Sequence, residues 1–179
     1  MIPAGYMYKK VASRPDWLRA AAVRDIYSIS SCISEDFTDY INYWRHNGYW
    51  LFDTPKVMEG IAAAEQLDVA AMTLFYYTVF DFEFDGERKQ WSRVTPEWGC
   101  TTEVEAPPDA RLEGYDVATF FARNKPECSP LSCNGLAETI PVNSHCLFET
   151  FEQARQALDA GKFDNSEPGP FRIFGVYTV

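Results

Sequence analysis

This chain has little histidine, no glycine-rich nucleotide loop and no long apolar run, and these absences narrow its possible functions. His46 and His145 are its only histidines. His46 ends a predicted helix beside Asn47-Gly48, where it is better explained as a capping residue than as a catalytic one. Neither GxGxxG nor GxxxxGKS/T occurs, so nucleotide hydrolysis at a phosphate-binding loop is disfavoured. Because no run of 18 apolar residues is present, a membrane-spanning helix is not expected.

The cysteine content and the first residues predict the compartment. The opening sequence, MIPAGYMYKK, lacks the apolar segment of a secretory signal peptide. Five cysteines are present, an odd number that does not suggest a disulfide framework. Because thiols stay reduced in the cytosol, a cytoplasmic location is expected.

Negative charge predominates and is unevenly distributed. The formal net charge is −10, yet residues 1–24 carry five cationic side chains against the single acid Asp16. The rest of the chain is therefore strongly acidic. Such a surface repels nucleic acids and anionic membranes and attracts basic partners, although solubility alone also accounts for it. We expect a basic protein partner, with no nucleic acid and no membrane.

The order of helix and strand patterns predicts an α+β fold. Thr54-Pro55 opens one helix, a capping box at 150–153 opens another, and a stripe of apolar residues predicts a helix over 35–46. The longest strand pattern covers 72–84, and the segment 171–178 is apolar on both faces, which is typical of a central strand. We predict one domain in which helices pack on a mixed or mostly antiparallel sheet.

An internal similarity suggests a second way to divide the chain. The sequence LFDT at 51–54 resembles LFET at 147–150, which lies 96 residues later. If this reflects a duplication, two related β-α-β-α-β halves span 25–95 and 114–179, joined by an acidic, proline-containing loop at 96–113. A match of four residues also arises by chance, so an undivided chain is the alternative.

An acidic strand provides the leading hypothesis for function. Asp81, Glu83 and Asp85 alternate with three phenylalanines, which places the carboxylates on one face and the rings on the other. Neighbouring like charges repel, so a binding role is plausible beside the simpler explanation of a solvated face. Tyr43 and Trp50 would provide aromatic anchors. We therefore predict a non-enzymatic protein that binds a basic protein, such as an immunity or inhibitor-type protein, without a cofactor.

Thiols and an imidazole concentrated near residue 140 provide the alternative hypothesis. Cys128, Cys133, His145 and Cys146 have the donor types that bind zinc, and Cys128 or Cys133 with His145 as base would suit a thiol-dependent enzyme. Against a four-ligand site, adjacent residues point in opposite directions on a strand. Cysteine also acts as a small apolar residue in protein cores. The offset of 96 residues additionally pairs Cys32 with Cys128.

Overall fold

The structure is a computed structural model that describes residues 1–42, 45–95, 103–121 and 125–179. These ranges contain seven strands, three α-helices and two 3-10 helices. In chain order they are β1 (Ile2–Lys9), β2 (Ala12–Ser13), β3 (Asp25–Ile26), a 3-10 helix (Phe37–Tyr40), α1 (Pro55–Glu65), β4 (Thr73–Asp85), β5 (Gln90–Arg93), β6 (Arg111–Thr119), α2 (Pro130–Cys133), a 3-10 helix (Leu136–Glu138), α3 (Phe151–Asp159) and β7 (Phe171–Thr178).

A five-stranded antiparallel sheet forms the centre of the fold. Four strands lie in the order β1-β4-β7-β6, and β5 pairs with the end of β4. The short strands β2 and β3 form a separate pair. All of these pairings are antiparallel, which confirms the predicted α+β class. β7 lies between β4 and β6, so it is a central strand, as its two apolar faces predict.

Both faces of the sheet are covered by apolar side chains. Successive residues of a strand point to opposite faces, so in β7 Phe174 and Val176 join one core cluster while Phe171 and Ile173 join another. Helix α1 contributes to the first cluster and α3 to the second. None of the helices in the described ranges has the length and apolar composition needed to cross a bilayer.

The predicted boundaries of two related halves do not match the strands. β1 lies before residue 25, yet it pairs with β4 as the edge of the sheet. β6 begins at Arg111, inside the loop predicted for 96–113. In the described part of 25–95, α1 is the one α-helix, so the order β-α-β-α-β is not found there. A common origin of the two halves stays a prediction.

Candidate functional site

Three cysteine side chains meet where two loops come together. The sulfur atoms of Cys32, Cys128 and Cys133, which we call the Cys triad, lie within 4.8 Å of one another. Cys32 belongs to the loop between β3 and the first 3-10 helix, Cys128 lies between β6 and α2, and Cys133 ends α2. All three are free thiols. Within the described ranges, no other group of three cysteine, histidine or carboxylate side chains is as closely spaced.

Local sequence brings two of these cysteines together. The N–H of Thr119 donates to the carbonyl of Cys128 (2.8 Å), which fixes Cys128 against the end of β6. Pro130 then opens α2, a position where proline's missing N–H costs nothing. After one helical turn, the N–H of Cys133 donates to the carbonyl of Ser129 (2.9 Å). A single turn therefore returns Cys133 to the side of Cys128.

Two buried charged residues hold the loop that carries Cys32. Lys9 ends β1, and its ammonium donates to the carbonyl of Ile29 (3.3 Å). Asp116 on β6 accepts from the N–H of Ile29 (2.8 Å) and from the Ser129 hydroxyl (2.7 Å). One peptide segment is thus held from both sides, by strands that are not neighbours in the sheet. Because Asp116 also binds Ser129, it fixes the two cysteine-bearing loops relative to each other.

Burial changes the acid–base behaviour of both charged groups. Lys9 and Asp116 are each only 1 % exposed. Burial lowers the pKa of Lys9, and the nearby carboxylates of Asp36 and Asp116 counteract this in part. Burial raises the pKa of Asp116 to about 6, although hydrogen bonds from Ser129 and other donors favour its ionised form. The Lys9 ammonium, which donates to backbone carbonyls, also interacts electrostatically with the Cys32 thiolate.

The three thiols influence one another strongly. Hydrogen bonds from the thiols of Cys128 and Cys133 lower the pKa of Cys32, and the charge of Lys9 acts in the same direction. One contact opposes this shift, because the Cys32 sulfur lies 2.9 Å from the carbonyl oxygen of Glu127, which favours a protonated thiol. Partial burial of the side chain also opposes this shift, but the net direction is a lowered pKa for Cys32. The cluster therefore holds negative charge most readily on Cys32. Hydrogen bonds with Cys133 and Cys32 raise the pKa of Cys128.

The spacing of the sulfurs fits a bound metal ion. Zinc–sulfur bonds of about 2.3 Å in a tetrahedron place sulfurs about 3.8 Å apart, and the observed limit is 4.8 Å. Two neutral oxygens lie beside the thiols: Asn134 Oδ1 is 3.5 Å from Cys128 Sγ, and Ser30 Oγ is 3.9 Å from Cys133 Sγ. Thiolates select soft ions such as zinc and copper(I). The described residues thus offer three strong donors and two weak ones.

The structure brings together two of the four side chains that the sequence offers as metal ligands. It brings Cys128 and Cys133 together but adds Cys32 in place of His145 and Cys146. The imidazole of His145 pairs with Asp25 through Nδ1 and lies 3.8 Å from a Glu113 oxygen through Nε2. These two contacts hold it outside the Cys triad.

Cys146 lies outside the Cys triad and packs in the core. It is 3 % exposed and belongs to the second core cluster. Burial raises the pKa of its thiol to about 12. Cys146 therefore packs as a small apolar core residue, as the sequence analysis allows for cysteine. The same interpretation does not apply to Cys32, which is exposed.

The acidic strand is paired with cations. Each of its three carboxylates has an arginine neighbour, which reduces the free negative charge at this face. The pairs are Asp81 with Arg93 at 2.8 Å, Glu83 with Arg172 at 3.0 Å and Asp85 with Arg88 at 3.7 Å. The predicted role of these carboxylates in binding a basic partner stays a prediction.

The two predicted aromatic anchors have different outcomes. Tyr43 lies outside the described residues. Trp50 is half-buried and stacks on His46, with ring centroids 3.8 Å apart and planes 13° apart. Part of its surface is therefore engaged within the chain, and its role as an anchor stays a prediction.

Comparisons with known proteins give no relative from which a role for the Cys triad could be inferred. The chain matches no protein-family model, no curated protein and no solved structure. The observations that bear on function are therefore the spacing of the three sulfurs, the exposure of Cys32 and the buried charges behind it.

Proposed function

We propose that this protein binds a soft metal ion, with zinc as the first choice, through the Cys triad. The observation that carries the proposal is the approach of three sulfurs to within 4.8 Å from loops almost 100 residues apart in the chain. Apolar packing does not account for the arrangement, because Cys32 is exposed. Three thiols that converge with one open side are suited to coordination.

The charge balance supports the same proposal. Three thiolates around a divalent ion leave a net charge of −1, and a buried net charge is unfavourable without a counter-charge. The ammonium of Lys9 is buried and interacts electrostatically with Cys32. Its carbonyl partners, Ile29 and Ser30, lie in the loop that carries Cys32. The carboxylates of Asp36 and Asp116 interact with this ammonium more strongly than Cys32 does, so Lys9 offsets only part of the negative charge of an anionic metal–thiolate centre.

The number of donors indicates the type of site. Structural zinc sites use four protein ligands, whereas catalytic sites use three and leave a fourth position for water or substrate. The described residues supply three thiolates, with the Asn134 amide oxygen and the Ser30 hydroxyl at the margin. We propose a site whose fourth position is exchangeable. An exchangeable fourth position is the arrangement that catalytic zinc sites use.

Metal analysis of purified protein tests the proposal. Reduced protein is stripped with a chelator, reloaded with zinc and dialysed, and the zinc retained per chain is measured. We expect one zinc per chain, and we expect Cys128→Ser and Cys133→Ser to abolish retention. Cobalt(II) in place of zinc should give intense near-ultraviolet bands from thiolate-to-metal charge transfer.

The control for this experiment is Cys146→Ser, the same substitution at a buried thiol outside the triad. It should retain one zinc per chain, and circular dichroism should show that all variants are folded. Zinc absent from the native chain, or retained equally by Cys128→Ser, would contradict the proposal. Equal loss in a folded Cys146→Ser would also count against it, because zinc binding would then depend on a thiol outside the Cys triad.

A further inference from the structure

We propose that Cys32 is an oxidation site, at which hydrogen peroxide converts the metal-free Cys triad into a disulfide between Cys32 and one of the two inner thiols. Disulfide formation itself does not depend on metal binding. Release of the metal by oxidation does rest on the proposed function, because the disulfide would remove two of the three ligands.

The exposure of the thiols identifies the first one to react. Cys32 is exposed, whereas Cys128 is 6 % exposed and Cys133 is intermediate. Oxidants act on thiols that solvent can reach. Cys146 provides an internal comparison, since it is 3 % exposed and packs in the second core cluster. Of the described cysteines, Cys32 is therefore the most accessible to attack.

Distance and tethering explain why a disulfide would follow. The sulfurs of the triad already lie within 4.8 Å of one another, and a disulfide brings two of them to about 2 Å. Backbone hydrogen bonds hold Cys128 and Cys133 at Thr119 and Ser129. Cys32 lies in a loop outside the named helices and strands, so its side chain can make most of the approach.

The chemistry balances with one peroxide for each disulfide. The Cys32 sulfur attacks a peroxide oxygen, the O–O bond breaks, and the departing hydroxide takes the thiol proton to become water. The resulting sulfenic acid is attacked by the sulfur of Cys128 or Cys133. The S–O bond breaks, the S–S bond forms, and the hydroxide leaves as a second water with the proton of the inner thiol. Two thiols lose two electrons, and one peroxide is reduced to two waters.

The experiment uses chelator-treated, reduced full-length protein with equimolar hydrogen peroxide. Mass spectrometry of the intact chain should show the loss of two hydrogen atoms, and peptide mapping without reductant should find Cys32 in the disulfide. Limited alkylation of the untreated protein with iodoacetamide should label Cys32 before Cys128, Cys133 and Cys146. This second measurement needs no variant, so it does not depend on a substituted chain folding.

Variants then separate the oxidation site from general thiol chemistry. Cys32→Ser should not form the disulfide, while the matched Cys146→Ser should form it as the native chain does. The fifth cysteine, Cys100, lies outside the described residues. The inference is overturned by a disulfide between Cys128 and Cys133, by a disulfide to Cys100, by an intermolecular dimer, by oxidation that stops at sulfinic acid, or by no reaction. Alkylation of Cys146 before Cys32 would also overturn it.

A parallel sample loaded with zinc tests the link to metal binding. Peroxide should release the zinc, detected with a colorimetric chelator, and a dithiol reductant should restore binding. If the chain binds no zinc but forms the Cys32 disulfide, the proposed function fails and the oxidation site stands. If zinc binds but no Cys32 disulfide forms, the inference fails and the metal site stands.

Discussion

Two loops on opposite edges of the sheet have the same internal hydrogen bonds but different surroundings. We call them the Asn47 loop (residues 47–52) and the Asn143 loop (residues 143–148). In each, the asparagine N–H donates to the carbonyl four residues later (2.9 and 2.8 Å), and its side-chain oxygen accepts from the N–H groups two and four residues later. The fourth residue of each loop, Trp50 or Cys146, has a positive φ of 60° or 64°.

Each loop also packs on a strand glycine. Gly5 of β1 and Gly114 of β6 have φ of +144° and +147°, which side-chain-bearing residues rarely adopt. Each asparagine donates from Nδ2 at 2.7 Å to the carbonyl of the residue before that glycine. The same local construction therefore closes both edges of the sheet, and the sequence similarity between 51–54 and 147–150 lies within and just after these loops.

The difference between the two regions lies just beyond the glycines. Two residues after Gly5 is Met7, whereas two residues after Gly114 is the buried Asp116. Four residues after each glycine the contrast reverses, with the buried Lys9 on β1 and Ala118 on β6. Each edge strand thus supplies one charge to the peptide of Ile29. The shared parts build the edges, and the parts that differ position the Cys triad.

The largest expected effect comes from filling the two glycine positions. An added Cβ at Gly5 would lie 2.6 Å from the Cβ of Leu51, and one at Gly114 would lie 2.6 Å from the carbonyl oxygen of Phe148. Backbone and Cβ atoms cannot move aside as a flexible side chain can. We expect Gly5→Ala and Gly114→Ala each to lower the free energy of unfolding by about 4 kcal/mol, measured by urea denaturation.

The matched control for this prediction is Gly60→Ala. A Cβ at Gly60 meets nothing within 4 Å, and the residue lies within α1, where alanine is favoured over glycine by about 1 kcal/mol. This variant should be as stable as the native chain or more stable. If Gly5→Ala and Gly114→Ala differ widely in cost, the two loops do not depend on their glycines in the same way.

Local patterns in the sequence predict the elements that depend on a few neighbouring residues. The capping box of α3 is present, with the N–H of Gln153 donating to Thr150 Oγ1 at 3.2 Å, and Pro55 opens α1. The predicted helix over 35–46 is wrong for its described part, where a 3-10 helix spans Phe37–Tyr40. The reason is tertiary: Asp36 forms a bridge with Lys9 of β1, which holds it in an extended conformation.

The site itself was only partly predictable, because it depends on distant contacts. The sequence singled out Cys128 and Cys133, which lie close together along the chain. Cys32 was related to Cys128 only by the offset of 96 residues, and nothing in its neighbourhood marks it as a ligand. The burial of Lys9 and Asp116 was not predicted, because their partners are backbone groups 20 and 87 residues away. Patterns of neighbouring residues do not record such pairings.

The next largest expected effect is a pH dependence of stability that comes from Asp116, the buried carboxylate on β6 that has no counterpart on β1. The pKa of Asp116 in the folded chain is about 6, above its ordinary value of 3.8. Between about pH 4 and 6 the folded state keeps a proton that the unfolded state has released, so stability falls as the pH rises through this window. The total loss is about 3 kcal/mol. Urea denaturation of the native chain and Asp116→Asn at several pH values measures it as the change in their difference.

The control for this measurement is Asp109→Asn, at an exposed carboxylate. Its difference from the native chain should change much less between pH 4 and 6.5. A constant difference between the native chain and Asp116→Asn would show that the buried carboxyl does not keep its proton in the folded state. Asp116 would then differ from Met7, at the corresponding place in β1, in its polarity but not in gaining or losing a proton over this pH range.

The smallest expected effect is the difference between the two asparagines. Asn47 is 4 % exposed and donates a second time, to Asp53 at 2.9 Å, whereas Asn143 is only half-buried. An unpaired buried polar group costs about 1–3 kcal/mol.

We therefore expect Asn47→Ala to lower the free energy of unfolding by about 3 kcal/mol and Asn143→Ala by about 2 kcal/mol. The exposed Asn165→Ala is the control and should change it by about zero. Because the loops share their other hydrogen bonds, the gap of about 1 kcal/mol isolates the extra contact. When both substitutions are made in a chain that already carries Asp53→Ala, the gap should disappear. A gap that persists there would show that the difference comes from burial and not from the contact with Asp53.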